Sequence, residues 1–421
     1  MAVLEIQTRT RVSSGAHVER LAAHPRLPLV AGLDSARPAV HIWDYGEGSL
    51  REAGTIGGDS AAHGAAIGWE RRKRTPNVAW HPSEPVLLVA SEGMATQWTL
   101  AGATRLDGLP SAAAYRHLAF SPDGQALWAS PSAAPKVRPW QYYSDAIDPV
   151  SGATTTSRGW DTGIATHPGG GLVTTLQSNQ GATLVLFARV DQESTPTQMR
   201  TLRQALILDV DGYQAPVFSA DGRHFAIRGN AYENTLSVFE FPSLNLVLAT
   251  TLGEPSPGYP YPQEWLDQMR AWSRHNIAFG AQPGVLWAAT PTGSLIEIDV
   301  SAERATGHDA LASARVTALS ATTSGDLLTA TADGDLILIT VTADSARDRA
   351  PSPLAPEALV AAFLGGTSDV PLDGNLEEHL VLTDGQRTWL HDDLETVETA
   401  TPADPTWLQI QAAVNAHKQG N

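Results

Sequence analysis

Apolar residues in this chain come in short runs, and a turn follows almost every run. The stretch from His117 to Ser130, HLAFSPDGQALWAS, shows the pattern. One apolar run ends in Ser-Pro-Asp-Gly and another begins at once, which reads as strand, tight turn, strand. The unit recurs along the chain. Val18 begins VERLAAHP, LVAG and AVHIWD. Asn77 begins NVAWHP, VLLVASEG and ATQWTL. His117 begins HLAFSPDG, ALWAS and KVRPWQ. Gly163 begins GIATHPGGG, LVTTLQ and ATLVLF. Ala215 begins APVFSADG, HFAIRG and TLSVFE. Asn276 begins NIAFGAQPG, VLWAAT and SLIEID. Arg315 begins RVTALSATTSG, LLTATADG and DLILIT. A weaker eighth unit, LVAAFLGG, HLVLTDG and RTWLHD, runs from Leu359 to Asp392.

Each unit holds three apolar-rich strands. A fourth fits before the next unit at Leu50–Ile56, Met199–Leu206 and Leu246–Leu252. A period of roughly 40 to 60 residues is that of four-stranded propeller blades. One such sheet cannot bury both of its faces alone, so neighbours must stack and share a core. The turns agree with this. Asp-Gly recurs at Asp123-Gly124, Asp221-Gly222, Asp333-Gly334 and Asp384-Gly385, where Gly supplies the positive φ of a hairpin turn.

The expected fold is therefore all-β: a single β-propeller of four-stranded blades, with eight blades favoured over seven. The N-terminal Leu4-Glu5-Ile6-Gln7 alternates apolar and polar and is expected to complete the last blade, removing an exposed edge. Residues 1–400 form the propeller in this reading. Residues 401–421 form a C-terminal helical tail, packed on it or free.

Two segments break the strand rhythm. EPSPGYPYPQEWLDQMRAWSRH, Glu254 to His275, has a Pro-rich lead and then helical spacing from about Gln263. Trp265, Leu266, Met269 and Trp272 share one helix face, with Tyr259 and Tyr261 just before. That face either packs on the propeller rim or, with Tyr259, Tyr261, Trp265, Met269 and Trp272, forms a partner-binding surface, since Trp, Tyr and Met are enriched at interfaces. In DPTWLQIQAAVNAH, Asp404 to His417, Asp404 can cap a helix with Pro405 at its first position. Trp407, Ile410 and Val414 form its apolar stripe. Gly57–Thr75 and Ala350–Pro356 read as loops between blades.

VHIWD at Val40–Asp44, with AFSPDG at Ala119–Gly124, resembles the WD40 repeat family of β-propellers. FSPDG and FSADG before an apolar strand also resemble related bacterial propeller repeats. The likeness covers most of the chain, but only the first unit has Trp-Asp. Trp98 and Trp140 take the Trp place in the next two units, and Phe187, Phe239, Ile298 and Ile339 in later ones. The resemblance implies a propeller that binds other proteins. It also implies a His–Ser/Thr–Asp–Trp set, for which the seventh unit offers His308, after Gly307, with Thr331 and Asp333, but has Ile339 in the Trp place.

Composition narrows the function further. A net charge of -17 disfavours general nucleic-acid binding. The run Arg71-Arg72-Lys73-Arg74 is an exception, either a solvated loop or a docking point for an acidic partner. No cysteine is present, which excludes thiolate catalysis and Cys-based metal sites and suits a reducing cytoplasm. No apolar leader or membrane-length run is apparent.

His24, His81 and His167 each precede Pro at one place in the repeat, which marks turn residues rather than metal ligands. His391-Asp392-Asp393 reads as a solvated turn, and Asp209 with Asp211 as ordinary acids. Gly169-Gly170-Gly171 precedes no helical pattern that would cradle a phosphate. No HExxH, GxSxG, GxxxxGK[ST] or GxGxxG motif occurs. The inner-strand candidates look mainly apolar or small.

The expectation is a cytoplasmic, non-enzymatic interaction scaffold with no cofactor, metal or catalytic residue. It binds one or more proteins but neither nucleic acid nor membrane, and is monomeric by itself. The Ala-rich, Cys-free composition suggests a bacterial source. The alternative is a propeller hydrolase or lyase with a central-channel site, with or without a metal held by Asp and His. A glycan- or peptide-sensing propeller is a third reading.

Overall fold

The computed structural model describes residues 2–91, 93–106, 109, 115–132, 143–179, 181–209, 212–229, 233–342, 354–372 and 374–419. The fold is a β-propeller arrangement of four-stranded blades, and the blades number seven, not eight. The chain divides into two compact units.

The first unit carries five blades. Blade 1 is Val18–Ala23, Leu29–Asp34, Ala39–Asp44 and Arg51–Gly57. Blade 2 is Asn77–Trp80, Leu87–Ser91, Met94–Thr99 and Gly102–Arg105. Blade 3 is His117–Phe120, Leu127–Ser130, Tyr143–Ile147 and Thr154–Arg158. The expected third strand KVRPWQ, with Trp140, lies outside the described residues apart from the neighbouring Tyr143–Ile147. Blade 6 is Ile277–Phe279, Val285–Ala289, Ser294–Asp299 and Arg304–Asp309. Blade 7 is Val316–Ala321, Leu327–Thr331 and Asp335–Thr342, completed by Val3–Arg11. That N-terminal strand pairs antiparallel with Asp335–Thr342, from Val3 opposite Thr342 to Arg11 opposite Asp335. The strand before the first blade thus closes the last one, as its alternating pattern predicts.

The first strands of neighbouring blades lie against one another, which makes them the inner strands. Buried side chains fill the spaces between sheets. Leu29, Ala31 and Ile42 of blade 1 meet Leu87, Val89 and Trp98 of blade 2. Val18, Val30 and Trp43 meet Ala330, Leu336 and Leu338 of blade 7. The fit leaves little room: a Cβ on Gly54 would sit 2.5 Å from Trp98 Nε1. Gly325 has φ +84°, and a Cβ there would sit 2.4 Å from the backbone nitrogen of Ala281 in the preceding blade.

The second unit carries two blades. Blade 4 is Thr162–Thr166, Leu172–Asn179, Ala182–Asp191 and Gln198–Asp209; blade 5 is Val217–Phe218, His224–Gly229, Thr235–Glu240 and Leu246–Thr251. The segment read as an eighth blade holds more helix than strand. Its first apolar run lies in a helix, Pro356–Gly365, with Pro at the start and Leu359, Val360 and Phe363 in the core beside Phe187 and Phe241. An Ala-rich run without β-branched repetition favours helix, and Pro356 presets its first turn. The hairpin Val381–Thr383 and Thr388–Trp389 then adds to blade 4, with Val381–Thr383 running parallel to Gln204–Leu206. Two strands do not make a blade, so blade 4 becomes a six-stranded sheet.

In chain order the helices are α1 (Ala61–Ala65), α2 (Gly68–Arg74), α3 (Gln263–Ala271), α4 (Pro356–Gly365), α5 (Leu376–His379), α6 (His391–Thr396) and α7 (Thr406–Gln419). Gly57–Thr75 is thus not a plain loop. Ser60 caps α1 by accepting from His63 N–H. Helix α7 starts at Thr406, not on an Asp404 cap. The Asp404 carboxylate instead accepts from Thr401 and Arg387. Its buried face is Trp407, Leu408, Ala412 and Asn415, packed near Trp389, while Ile410 and Val414 are exposed. The buried face is turned by about one residue step (~100°) from the predicted stripe and shares only Trp407 with it.

A histidine follows the inner strand in blades 1, 2 and 4. In blades 1 and 4 its Nδ1 accepts turn N–H groups: from Arg26 and Leu27 at 3.0 Å each for His24, and from Gly169 at 3.0 Å for His167. Nε2 then carries the proton and donates to the following blade, to Glu84 O at 2.8 Å from His24 and to Gly222 O at 3.0 Å from His167. His81 accepts from Ser83 and Glu84 in the same way and packs edge-on against Phe120 of blade 3. The repeat-locked turn role read from the sequence holds, and two of the three are also latches between blades.

Candidate functional site

The helix α3 segment holds the five residues singled out for partner binding. Trp265 and Met269 are buried, Trp272 and Tyr261 half-buried, and Tyr259 is 89% exposed. Tyr261 stacks on Trp265, with ring centroids 5.0 Å apart, and Tyr259 meets Tyr261 edge-on at 6.1 Å. The structure therefore brings three of the five together as an aromatic step. Trp265 anchors it, and only Tyr259 reaches fully into solvent.

Most titratable clusters are occupied within the fold. His41 sits buried in blade 1 with Nε2 3.2 Å from Asp34 and Nδ1 2.9 Å from Glu52. Burial alone would lower its pKa, but the hydrogen bonds to both carboxylates outweigh that and raise it. Burial likewise opposes charge on Asp34. Bonds from His41, Ser14, the Ala36 N–H and Arg37 nevertheless hold its carboxyl well below the usual range. Trp43 stacks on the His41 ring. The expected His–Thr–Asp set of the seventh unit does not assemble. His308 lies in blade 6 and pairs with Glu297 at 3.0 Å. In blade 3, Tyr115 donates to Asp145 at 2.8 Å, and Ser132 donates to the other carboxylate oxygen. Tyr115→Phe leaves that buried carboxylate short of a donor. The expected cost is about 1.5–3 kcal/mol, read as a lower denaturation midpoint with binding properties unchanged.

The Arg71–Arg74 run is split. Arg71 is half-buried and donates to the backbone carbonyls of His63 and Ser35, while Lys73 pairs with Glu70 on the surface. His391-Asp392-Asp393 opens α6, with Asp393 accepting from Leu390 N–H at 2.8 Å. Of the Asp209–Asp211 pair, Asp209 accepts from Thr406, and Asp211 lies outside the described residues. Among the described residues no group of three or more His, Asp or Glu is placed to hold a metal ion. Nor is any helix there long and apolar enough to cross a membrane.

One cluster was hidden in strands read as mainly apolar. Glu19 and Arg20 follow Val18 at the start of the inner strand of blade 1, and Arg116 precedes His117, which opens the inner strand of blade 3. A bulge at Glu19 shifts the register, so Arg20 pairs with Leu33. The Glu19 and Arg20 side chains are enclosed by protein atoms but still reached by solvent. Burial raises the Glu19 pKa and lowers that of Arg20. Burial, then the Arg20 and Arg116 charges, push His117 down to about 3. A separate shallow cleft of about 280 Å³ lies between blades 1 and 7, lined by Tyr45, Thr322, Thr323, Ser324 and Asp326. Its hydroxyls are ordinary turn groups, and no perturbed acid–base pair faces it.

Fold and site together define a β-propeller with four-stranded blades and two surface features, an aromatic step and an inner-strand charge cluster. A scan against protein-family models and a search of curated proteins find no match to the chain.

Proposed function

We propose that the protein is a WD40-like, non-enzymatic propeller that serves as a protein–protein interaction scaffold in a bacterial cytoplasm. It acts as a monomer without cofactor, and neither nucleic acid nor membrane is its partner. The observation that carries this reading is the aromatic step. A fully exposed Tyr259 rests on Tyr261, which is stacked on the buried Trp265, giving a rigid amphipathic anchor of the kind that dominates interfaces. Partner residues are then Tyr259 and Tyr261, with Trp265, Met269 and Trp272 holding their platform.

The test compares partners retained by the wild-type chain and by Tyr259→Ala from the native cell, followed by affinity measurement with each purified partner. Truncating a hot-spot tyrosine is expected to weaken at least one partner by more than about tenfold, at unchanged melting temperature. Equal retention of every partner would remove the step from the interface. The second reading, a hydrolase or lyase, is favoured by one observation only: Glu19 and His117 carry perturbed pKa values beside Arg20.

A further inference from the structure

The cleft between blades 1 and 7 lies at the seam that the N-terminal strand closes. Three pieces of the first unit meet there: Gln7 of that strand, Tyr45 just past the third strand of blade 1, and Thr322, Ser324, Asp326 and Thr340 of blade 7. Gln7 reaches the cleft for a backbone reason. The ladder with Asp335–Thr342 slips between Ile6 and Thr8, which makes Gln7 the extra residue of a β-bulge. A bulge re-aims a side chain, and bulges recur beside functional sites. The Gln7 amide and the Thr340 hydroxyl have no hydrogen-bond partner among the described residues, so both are available to a ligand.

The turn from Thr322 to Asp326 decides the chemistry. Ser324 donates to the Asp326 carboxylate at 2.8 Å, so Thr322, 2.8 Å from Ser324, donates to Ser324. The Val341 N–H holds the other carboxylate oxygen at 3.3 Å. The Tyr45 hydroxyl gives its proton to the Leu27 carbonyl at 3.3 Å. The protons of this wall are thus committed to protein acceptors. What remains for the cleft is oxygen lone pairs, which call for a ligand rich in donors. No Lys, Arg or His is among the described residues that line it, and Asp326 repels an anion. An ammonium ion would satisfy Asp326 alone. The acceptors are spread over several elements, so the donors must be spread around the ligand as well. Pro28 and Leu338 add apolar surface. Hydroxyls around a ring with C–H faces meet both demands. The volume, about 280 Å³, falls just under the roughly 300–1,000 Å³ of drug-sized sites and suits a single ring.

We infer that the cleft between blades 1 and 7 binds a neutral sugar of one ring, held by Gln7, Ser324, Asp326 and Thr340. A ligand there bridges the closing strand and blade 7 to blade 1, and so stabilises the seam. This is independent of the aromatic step and of the scaffold reading.

The experiment titrates the full chain with D-glucose, D-galactose and N-acetyl-D-glucosamine, and with D-glucuronate and butylammonium as anionic and cationic comparisons at matched ionic strength. Saturation-transfer NMR follows binding, and hydrogen exchange locates it. At least one neutral sugar is expected to bind saturably, with Kd on the order of millimolar in so shallow a cleft. It is expected to slow exchange at the amides of Val3–Arg11 and Thr322–Asp326. Gln7→Ala, at an exposed position, is expected to weaken that sugar about 3- to 10-fold, and Asp326→Asn, which loses a charged acceptor, roughly tenfold or more. Absence of saturable binding by all three sugars would overturn the inference. So would protection confined to other blades, glucuronate or butylammonium bound more tightly than every neutral sugar, or Gln7→Ala binding like wild type. Gln7 makes no side-chain bond to the described fold, so Gln7→Ala covers the case in which Asp326→Asn does not fold.

Discussion

Removing residues 2–12 is expected to lower the melting temperature by more than about 10 °C and to make the chain self-associate. The deleted segment is the outer strand of blade 7. Its partner, Asp335–Thr342, would be left with unpaired N–H and C=O groups along its length. Each lost ladder bond costs about 0.5–1.5 kcal/mol, so the backbone term alone reaches several kcal/mol. The apolar term adds to it. Ala2 and Leu4 cover the cluster of Leu295, Ile337 and Ile339, and the Ala2 N–H donates to the buried Glu297 at 3.3 Å. A fully buried aliphatic side chain stabilises by about 1.5–3 kcal/mol, and part of that is lost when its cover goes. The edge so exposed reads Leu-Ile-Leu-Ile from Leu336 to Ile339, a strong template for pairing with another chain. Calorimetry and size-exclusion chromatography check both effects. A peptide of residues 2–12 added in trans should restore the melting temperature, because it supplies the same ladder. A truncated chain that melts within about 2 °C of the full one and stays monomeric would refute the closure argument.

That strand was legible from Leu4-Glu5-Ile6-Gln7, whose alternation of apolar and polar marks a strand; the strand itself runs further, from Val3 to Arg11. Blade identity was legible for the same reason wherever strand, Asp-Gly turn and strand came together. Gly124, Gly222, Gly334 and Gly385 all take the positive φ that their turns require. The eighth blade failed where period and chemistry disagreed. LVAAF is apolar enough for a strand, yet Pro356 before it and its alanines make it a helix. Gly385 keeps its hairpin, but the two short strands around it join blade 4 instead of founding a sheet. Short apolar runs of this kind are ambiguous until flanking breakers are weighed.

The candidate site was legible in part. Helical spacing identified α3 and its Trp265–Met269 face, but spacing cannot tell a face that is buried from one that is offered. Exposure separates the two roles in the proposed surface: the buried Trp265 can only support it, while the 89% exposed Tyr259, in the Pro-rich lead before the helix, is open to contact. The inner-strand charges were missed because VERLAAH and HLAFS were weighed by their apolar majority. The bulge at Glu19, which decides where Glu19 and Arg20 point, leaves no mark in sequence. The signal that could have found them is charge at a strand start in two blades, Glu19-Arg20 and Arg116-His117.

Lowering the pH from 7.5 to 5 is expected to destabilise the protein, with neutral histidines as the cause. The His24 and His167 rings accept N–H groups at Nδ1 and donate from Nε2, so a second proton has no acceptor to face. Burial lowers both pKa values, and the carbonyls that the rings donate to only partly oppose it. His117 is pushed down to about 3 by burial and by Arg20 and Arg116, and His17 is lowered by burial and Arg315. An unfolded histidine takes up its proton near pH 6.5, and these four take it up only at lower pH when folded. Their contribution is therefore complete above about pH 6.5 and drains away as the pH falls toward the folded values. His41 acts in the opposite sense. Its raised pKa contributes stability that is complete below about pH 6.5 and lost as pH rises through its folded value. Glu19, whose pKa burial raises, acts in the same sense as His41, so among the described groups four stand against two and give a net loss on the acid side. Asp34, Glu52 and Asp123 have lowered pKa values, so they stay charged throughout this window and do not confuse it. Each unit of depression corresponds to about 1.4 kcal/mol. Solvent reaching His17 and His117 reduces their share, which leaves a sum of a few kcal/mol and a fall of roughly 5 °C in melting temperature. In His24→Asn/His167→Asn, the amide oxygen can still accept the turn N–H groups, but nothing there titrates. That variant should start lower at pH 7.5, having lost both inter-blade bonds, and then fall less steeply toward pH 5. A wild-type melting temperature that stays level or rises on acidification would mean that His41 and Glu19 outweigh the latches, and the tautomer assignment would have to be abandoned.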